Sequence, residues 1–357
     1  MQISEDATIK NIIIERINQS DTKSIAFSEF MEIALYTPYH GYYSQANINI
    51  GAKGDFTTAS EISPLFGQTL ANAITHDKVL ELGAGTGKLA TSIIKAIEPK
   101  RYYILERSGF LRKIQQDYFI SQNIDNVEWL DEIPNDFSGT IIGNEVLDAI
   151  AVDIWNYDYI EKKWQTKHIA LSNSDSDKQE FEWINVDVKA DKIPQEIINS
   201  SISDEDIYIY NNLNYTTESH CKTSYLLNTL ANMQIHGQMI WIDYGFLSHE
   251  YFHPQRNMGT IMCYHKHTAN TNPLINLGSQ DISCHVNFSL VQETLKNQNY
   301  QIDYFDSQAR FLLDYGILDI MHKYLKSDNY LSTAKQAQIL LSEAEMGALF
   351  KVLICSK

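Results

Sequence analysis

The most constraining feature of the chain is the segment VLELGAGTGKLA at positions 79–90, in which an apolar run leads into three closely spaced glycines. Residues 79–82 predict a buried strand, and residues 88–97 predict a helix that begins directly after the turn. Glycine permits positive φ and close approach of a ligand, and a helix N-terminus offers unpaired N–H donors. The segment therefore predicts a cofactor site on Gly83, Ala84, Gly85 and Gly87.

The spacing of these glycines discriminates between three classes of ligand. A phosphate-binding P-loop needs GxxxxGK[ST], but Leu82 stands where its first glycine would be and Leu89 follows Lys88. A dinucleotide turn has the pattern GxGxxG, whereas this turn reads GxGxG. The compact turn fits the amino-acid end of S-adenosylmethionine, and an NAD-linked oxidoreductase remains the alternative.

Acidic residues flank the strands of the same region. Glu81 lies just before the glycines, and Glu106 follows the second predicted strand, where a carboxylate can accept both ribose hydroxyl protons of a nucleoside. Leu130 and Asp131 end the third predicted strand, where such folds place an adenine. We predict that these four residues bind the cofactor.

The fourth predicted strand ends in GNEVLDA, and ligands of open α/β sheets bind at the carboxyl ends of strands. Asn144, Glu145 and Asp148 are therefore predicted to be catalytic, with Asn144 also contacting the cofactor. Glu145 and Asp148 share a face if the segment is helical, and two carboxylates can bind a guanidinium bidentately. The alternative is an acid pair at a helix start, favoured only by the helix dipole.

The segment GDFTTASEIS is bounded by glycine and could close over the cofactor or the substrate. We predict that Asp55, Thr58 and Glu61 bind the substrate, with Glu61 also assisting catalysis, and that Tyr43 of the preceding turn-rich stretch contacts the substrate as well. The alternative is a solvated turn followed by a serine-capped helix.

Composition excludes several classes of protein. A net charge of -17 over 357 residues repels phosphate backbones, so nucleic acid is not an expected partner, whereas a cationic protein would be attracted. The four cysteines form no CxxC pair, the histidines match no metal motif, and no metal is predicted. No run approaches the ~20 apolar residues of a membrane span. The first residues resemble neither a signal nor a transit peptide, so a cytoplasmic location is expected.

Strands alternating with helices between positions 76 and 150 predict a parallel, doubly wound α/β sheet. The parallel pattern resumes at 239–242, so we assign 76–150 and 236–357 to one Rossmann-like core. Residues 1–75 are predicted to form a helical N-terminal cap that includes the active-site loop. Residues 151–235 contain successive strand patterns at 153–157, 164–171 and 180–186, which predict an inserted β-rich region on the substrate side.

Several segments together resemble one known family, over nearly the whole chain. They are FSEFMEIALYTPYHGYYS, GAKGDFTTASEISPLFGQTLA, VLELGAGTGKLA, ILERSGFLRKIQ, IIGNEVLDAIAV, IDYGF with EYFHPQRNMGTIMCYHKH, and QDISCHVNFS with SQARFLLDYGI. This combination is similar to the MidA-like class I S-adenosylmethionine-dependent methyltransferases, relatives of the mitochondrial complex I assembly protein arginine methyltransferase.

The resemblance implies a function as well as a fold. It implies S-adenosylmethionine on Gly83, Gly85 and Gly87, with Glu106 on the ribose and 144–148 lining the active cleft. It further implies methyl transfer to a protein arginine, with a respiratory complex I subunit as the candidate substrate. The alternative is a factor that binds the cofactor and assists assembly without turnover.

Overall fold

The computed structural model describes residues 8–45, 58–172, 180–200, 214–325, 328–342 and 346–357. The α-helices are α1 (Ile9–Gln19), α2 (Phe27–Tyr36), α3 (Ala59–Ile62), α4 (Pro64–Ala71), α5 (Lys88–Ile97), α6 (Gly109–Ser121), α7 (Gln195–Ile198), α8 (Cys221–Met233), α9 (Ser248–Tyr251), α10 (Phe288–Asn297), α11 (Gln308–Asp314), α12 (Ile317–His322) and α13 (Tyr330–Leu341).

The strands are β1 (Ser24–Ala26), β2 (Lys78–Leu82), β3 (Arg101–Leu105), β4 (Val127–Leu130), β5 (Phe137–Asn144), β6 (Asp153–Asp158), β7 (Lys163–Leu171), β8 (Phe181–Asp187), β9 (Asn214–Ser219), β10 (Gln234–Phe246), β11 (Met262–His265), β12 (Thr268–Asn270), β13 (Asp281–Ser283), β14 (Val286–Asn287), β15 (Gln301–Ser307) and β16 (Phe350–Ser356).

The chain divides into two compact units. The first comprises 1–48, 149–225 and 246–291, and the second comprises 49–148, 226–245 and 292–357. This division differs from the predicted boundaries at the end of the N-terminal cap, at 226–235, which falls in the second unit instead of the insertion, and at 246–291. Helix α4 belongs to the second unit because it packs closely against α5, which lies in the same unit. A Cβ on Gly67 of α4 would be 2.5 Å from the Ser92 Cβ of α5. Residues 246–291 belong with the β-rich unit because Phe246 and Tyr251 pack with Trp155.

The second unit is built on a sheet with strand order β15-β16-β10-β5-β2-β3-β4. Neighbours from β10 to β4 are parallel, whereas β16 runs antiparallel to both β10 and β15. From β2 the chain proceeds outward to β3 and β4, then returns to β5 on the other side of β2. The prediction of a doubly wound, Rossmann-like sheet is confirmed. Its order reverses between β2 and β5, and a ligand crevice forms at such a reversal.

The central strands of this sheet are buried on both faces, as their nearly continuous apolar sequence requires. Leu80, Ile142 and Ile240 are fully buried on β2, β5 and β10. Helix α5 covers one face with an apolar stripe that includes Leu89 and Ile93. Each such side chain contributes about 1.5–3 kcal/mol by burial, and this packing holds the strand ends, and the site residues on them, in fixed positions.

The first unit contains α1, α2 and an antiparallel sheet of order β1-β7-β6-β9, with β8 paired to β7. The strands predicted at 153–157, 164–171 and 180–186 are β6, β7 and β8, so the β-rich region is confirmed. A smaller sheet of order β12-β11-β13 lies in the same unit. Within the described ranges, no helix has the length and hydrophobicity needed to cross a bilayer.

Candidate cofactor and active site

The glycine turn between β2 and α5 takes a conformation that requires glycine. Gly83, Gly85 and Gly87 have φ of +61°, +52° and +84°, a region that side chains with a Cβ rarely adopt. A Cβ on Gly87 would be 3.0 Å from Cζ of Phe119, whereas a Cβ on Gly85 would meet nothing within 4 Å. Gly87 therefore serves packing, and Gly85 leaves open space beside the turn.

Gln115 links this turn to the predicted ribose-binding acid. Glu106 is buried after β3, and its carboxylate accepts from the Ser108 N–H at 2.9 Å and from the Gln115 amide at 3.3 Å. The Gln115 amide also donates to the Gly85 carbonyl at 2.9 Å, while its oxygen accepts from the Trp129 indole at 2.7 Å. Burial raises the pKa of Glu106, and these donors oppose the rise.

Gln115 was missed by the sequence reasoning, although a signal for it exists. It lies between Leu111 and Phe119 at spacing i, i+4, in the buried row of α6. A fully buried amide in an apolar row must find hydrogen-bond partners inside the protein. Such an amide is therefore a candidate for a residue that holds site residues in place.

Glu81 lies inside the sheet beneath the turn. It is 2% exposed, and its Oε2 accepts from the Tyr102 hydroxyl at 2.7 Å. Burial raises its pKa to about 7, the Tyr102 hydrogen bond opposes the rise, and the charge of Glu106 adds to it. The structure thus places this predicted cofactor ligand with its carboxylate directed to a tyrosine of β3.

Arg112 links the ends of β3 and β4 by hydrogen bonds. Its Nε donates to the Glu106 carbonyl at 2.7 Å, its Nη2 donates to the Leu130 carbonyl, and its Nη1 pairs with Asp131 at 2.6 Å. The Asp131 side chain is 90% exposed. Leu130 and Asp131 therefore lie beside Glu106 at one end of the sheet, as the strand pattern predicts.

Glu61 contacts the glycine turn directly. Its carboxylate accepts from the Thr86 hydroxyl and from the Lys88 ammonium, and its side chain is only 4% exposed. The Thr58 hydroxyl lies 2.9 Å from that of Ser60. Helix α3 is joined to the glycine turn through Glu61. Thr86 and Lys88 are two further site residues that the sequence did not indicate.

Two predicted substrate residues cannot be assigned to this group from the structure. Asp55 lies outside the described residues. Tyr43 belongs to the first compact unit, where its hydroxyl donates to Asp281 at 2.9 Å and its ring stacks on Tyr36 with centroids 5.6 Å apart.

Residues 144–148, which we call the acidic turn, begin at the last residue of β5. The segment is not helical, so the conditional prediction that Glu145 and Asp148 share a helical face is wrong, and the helix-start alternative fails with it. Glu145 has φ of +54°, which turns the chain sharply out of the sheet. Within the described part of the chain the Asn144 Oδ1 is buried without a hydrogen-bond partner. A Cβ on Gly83 would lie 3.5 Å from Cγ2 of Val146, so the acidic turn adjoins the glycine turn.

Asp243, near the carboxyl end of β10, supports the acidic turn from below. It is 1% exposed, and its Oδ2 accepts from the N–H groups of Val146, Leu147 and Asp148 at 3.2, 2.9 and 3.3 Å. Its Oδ1 accepts from the Tyr244 N–H at 3.0 Å. Asp243 was also missed, although an acid following the apolar run MIWI fits the same strand-end rule that identified Glu106.

These contacts concentrate acidic side chains at one place. Burial raises the pKa of Asp243 well above its usual range, and the charges of Asp148 and Glu145 raise it further. A cation that bound there would relieve this repulsion. Among the residues that the structure describes, no group of three or more His, Cys, Asp or Glu side chains is arranged to hold a metal ion.

The residues present fit a nucleoside cofactor with an amino-acid end. Open space adjoins Gly85, a buried carboxylate follows β3, and the Asn144 oxygen at the end of β5 has no partner among described groups. Together with the reversal of strand order between β2 and β5, this arrangement defines the class of Rossmann-like S-adenosylmethionine-dependent methyltransferases.

Comparisons with known proteins agree with this class. Residues 66–305 match the family described as "Putative S-adenosyl-L-methionine-dependent methyltransferase", and the chain belongs to that family. A crystal structure of a protein from Burkholderia thailandensis bound to S-adenosyl-homocysteine is 34% identical, with a TM-score of 0.87, and the match covers 98% of this chain and 92% of that one. S-adenosylmethionine is therefore the cofactor of this fold and family.

Curated relatives carry a more specific name. The mitochondrial protein arginine methyltransferase NDUFAF7 homolog of Drosophila melanogaster is 24% identical, over 93% of this chain and 81% of the fly protein. The Caenorhabditis elegans protein of the same name is 27% identical over 43% of this chain, and the match spans only about half, 46%, of the nematode protein.

Proposed function

We propose that the chain transfers a methyl group from S-adenosylmethionine to the guanidinium of an arginine in a protein substrate. The observation that carries the proposal is the acidic turn, which adjoins the glycine turn and brings Glu145 and the buried Asp148 together near Asp243. The name shared by the fly and nematode relatives supports the same acceptor.

Different residues of the second unit contact different parts of the cofactor in this proposal. We infer that Gly83, Ala84, Gly85 and Gly87 hold its amino-acid end, that Glu106 accepts from the ribose hydroxyls, and that Leu130 and Asp131 border the adenine. When bound, S-adenosylmethionine supplies an activated methyl group on a positively charged sulfur.

The acidic turn acts on the acceptor. A charged guanidinium is a poor nucleophile because its pKa exceeds 12. Glu145 accepts N–H bonds from it, which orients one nitrogen for in-line attack and keeps electron density on that nitrogen, while the buried Asp148 assists with its negative charge. Asn144 positions the same nitrogen by accepting one of its N–H bonds at Oδ1, which has no hydrogen-bond partner among the described residues. The proton that the methylated nitrogen loses passes to Glu145 or to solvent. Glu61 assists by holding Thr86 and Lys88, and hence the turn, in place.

Methyl transfer to arginine is tested with labelled S-adenosylmethionine and proteins from cells that lack the chain. We expect label in methylarginine after hydrolysis, and at least ~100-fold less with Glu145→Gln, because positioning supplies much of the rate. Gly85→Val, which fills the open space beside the turn, is the cofactor-binding control. Label confined to another amino acid would exclude the arginine assignment.

A respiratory complex I subunit is the first acceptor to try, since the sequence resemblance implies it, and the cytoplasm is the compartment in which we propose the reaction. The rival is a cofactor-binding assembly factor without turnover. It predicts normal calorimetric binding of S-adenosylhomocysteine but no label with any protein fraction. Binding of NADH in place of S-adenosylhomocysteine would instead support the oxidoreductase alternative.

A further inference from the structure

The acidic turn has an unusual backbone that needs an anchor. Glu145 takes a left-handed φ of +54° without being glycine, and its N–H donates to the Ile242 carbonyl at 2.8 Å. Beyond this point the chain leaves the β5 ladder, so the N–H groups of Val146, Leu147 and Asp148 no longer have a strand to pair with. Buried N–H groups without partners are costly, and all three converge on one atom, Oδ2 of Asp243.

Both oxygens of Asp243 are used by the backbone. Oδ2 takes three N–H groups and Oδ1 takes that of Tyr244. With 1% exposure the side chain has no surface to offer an acceptor arginine. Asp243 can thus influence the reaction only through the turn that it holds.

We propose that Asp243 is the positioning residue of the acidic turn: by accepting three consecutive backbone N–H groups, it fixes the direction in which Asn144 and Glu145 face the acceptor. The effect on turnover rests on the proposed function, whereas the anchoring of the turn does not.

Asp243→Asn tests this with little change in size. An amide has one oxygen and one NH₂, and four N–H donors surround the site. In either orientation the NH₂ therefore opposes a backbone donor. We expect faster hydrogen exchange at the amides of 146–148, and kcat for arginine methylation at least ~100-fold lower, because displacement of about 1 Å can cost that much. Binding of S-adenosylhomocysteine should weaken far less than kcat falls.

The matched control is Gln238→Met at the opposite end of the same strand. Gln238 is also buried, accepts from Thr140 at 3.1 Å and donates to the Ala73 carbonyl at 3.0 Å. Its loss should lower Tm while leaving exchange at 146–148 and kcat near those of the wild type, which separates destabilisation from positioning.

The outcomes are distinguishable. Unchanged exchange at 146–148 in Asp243→Asn overturns the anchor, whatever the reaction. Faster exchange with unchanged kcat overturns its positioning role. A wild-type protein that labels no arginine refutes the proposed function alone, and the exchange measurement still decides whether Asp243 holds the turn.

Discussion

Glu81→Gln should remove a defined part of the pH dependence of stability. Glu81 is buried beneath the glycine turn, and its pKa rises from 4.5 to about 7 on folding. Between these values the folded protein holds a proton that the unfolded chain has released. The free energy of unfolding therefore falls as pH rises through this window. Since one pKa unit corresponds to ~1.4 kcal/mol, ionisation of this carboxyl should lower the free energy of unfolding by ~3 kcal/mol between pH 4.5 and 7.

Urea unfolding at half-unit pH steps from 5 to 8 measures this loss. Glutamine keeps an oxygen that can accept the Tyr102 hydroxyl and has no proton to lose, so the stability of Glu81→Gln should decline less steeply than that of the wild type. Glu106 and Asp243 also have raised pKa values, so both proteins keep some slope and the difference between them is the quantity to compare. Glu128→Gln, on the exposed side of β4, is the control. Parallel curves for wild type and Glu81→Gln would refute the reasoning.

Four further substitutions separate packing from binding around the glycine turn. Gly87→Ala should lower the free energy of unfolding by about 2–4 kcal/mol, because a left-handed φ and contact with a phenylalanine ring oppose a Cβ. Gly85→Ala has only the φ penalty and should be less destabilising in urea unfolding. Gln115→Leu should raise the Kd for S-adenosylhomocysteine about tenfold in calorimetry, since one lost hydrogen bond to a carboxylate is worth ~1.5 kcal/mol; unchanged affinity would contradict its linking role. Lys88→Met should lower Tm by a few degrees, because it leaves the carboxylate of Glu61 buried without its cation. An unchanged Tm would show that this ion pair contributes little to stability.

The repeating parts of the fold could be predicted from local sequence. Helix α5 has the predicted bounds of 88–97, because the glycine turn determines where it begins and its apolar periodicity determines its length. Strand β9 was not predicted, because its sequence has no apolar run and its buried positions come from pairing with the distant β6. Strand β15 was missed although its first four residues alternate between exposed and half-buried positions. The division into units was missed for the same reason, as it depends on which surfaces pack together.

The candidate site was predictable to the extent that it follows strand ends. Glu106 comes directly after β3, Asn144 is the last residue of β5 and Glu145 follows it, and periodicity identifies both strands. Gln115 and Asp243 were missed because their importance lies in which backbone groups they satisfy, and the sequence does not show which N–H groups lack a ladder partner. The non-helical course of 145–148 was unpredictable for this reason, since a distant carboxylate stabilises it.

The acids of the second unit differ in the groups that donate hydrogen bonds to their oxygens. Asp243 accepts only backbone N–H groups, and Glu61 accepts from residues of the glycine turn. Such carboxylates fix the shape of the two turns. Glu145 stands where the chain turns out of the sheet, and its Oε1 accepts from the Asn144 amide at 3.4 Å. A buried acid beneath a turn disfavours further negative charge above it, so a cation above the turn lowers the energy of the whole group. Asp243 therefore shapes the turn by accepting from its N–H groups, while the negative charges of Glu145 and Asp148 beside it disfavour further negative charge at this place.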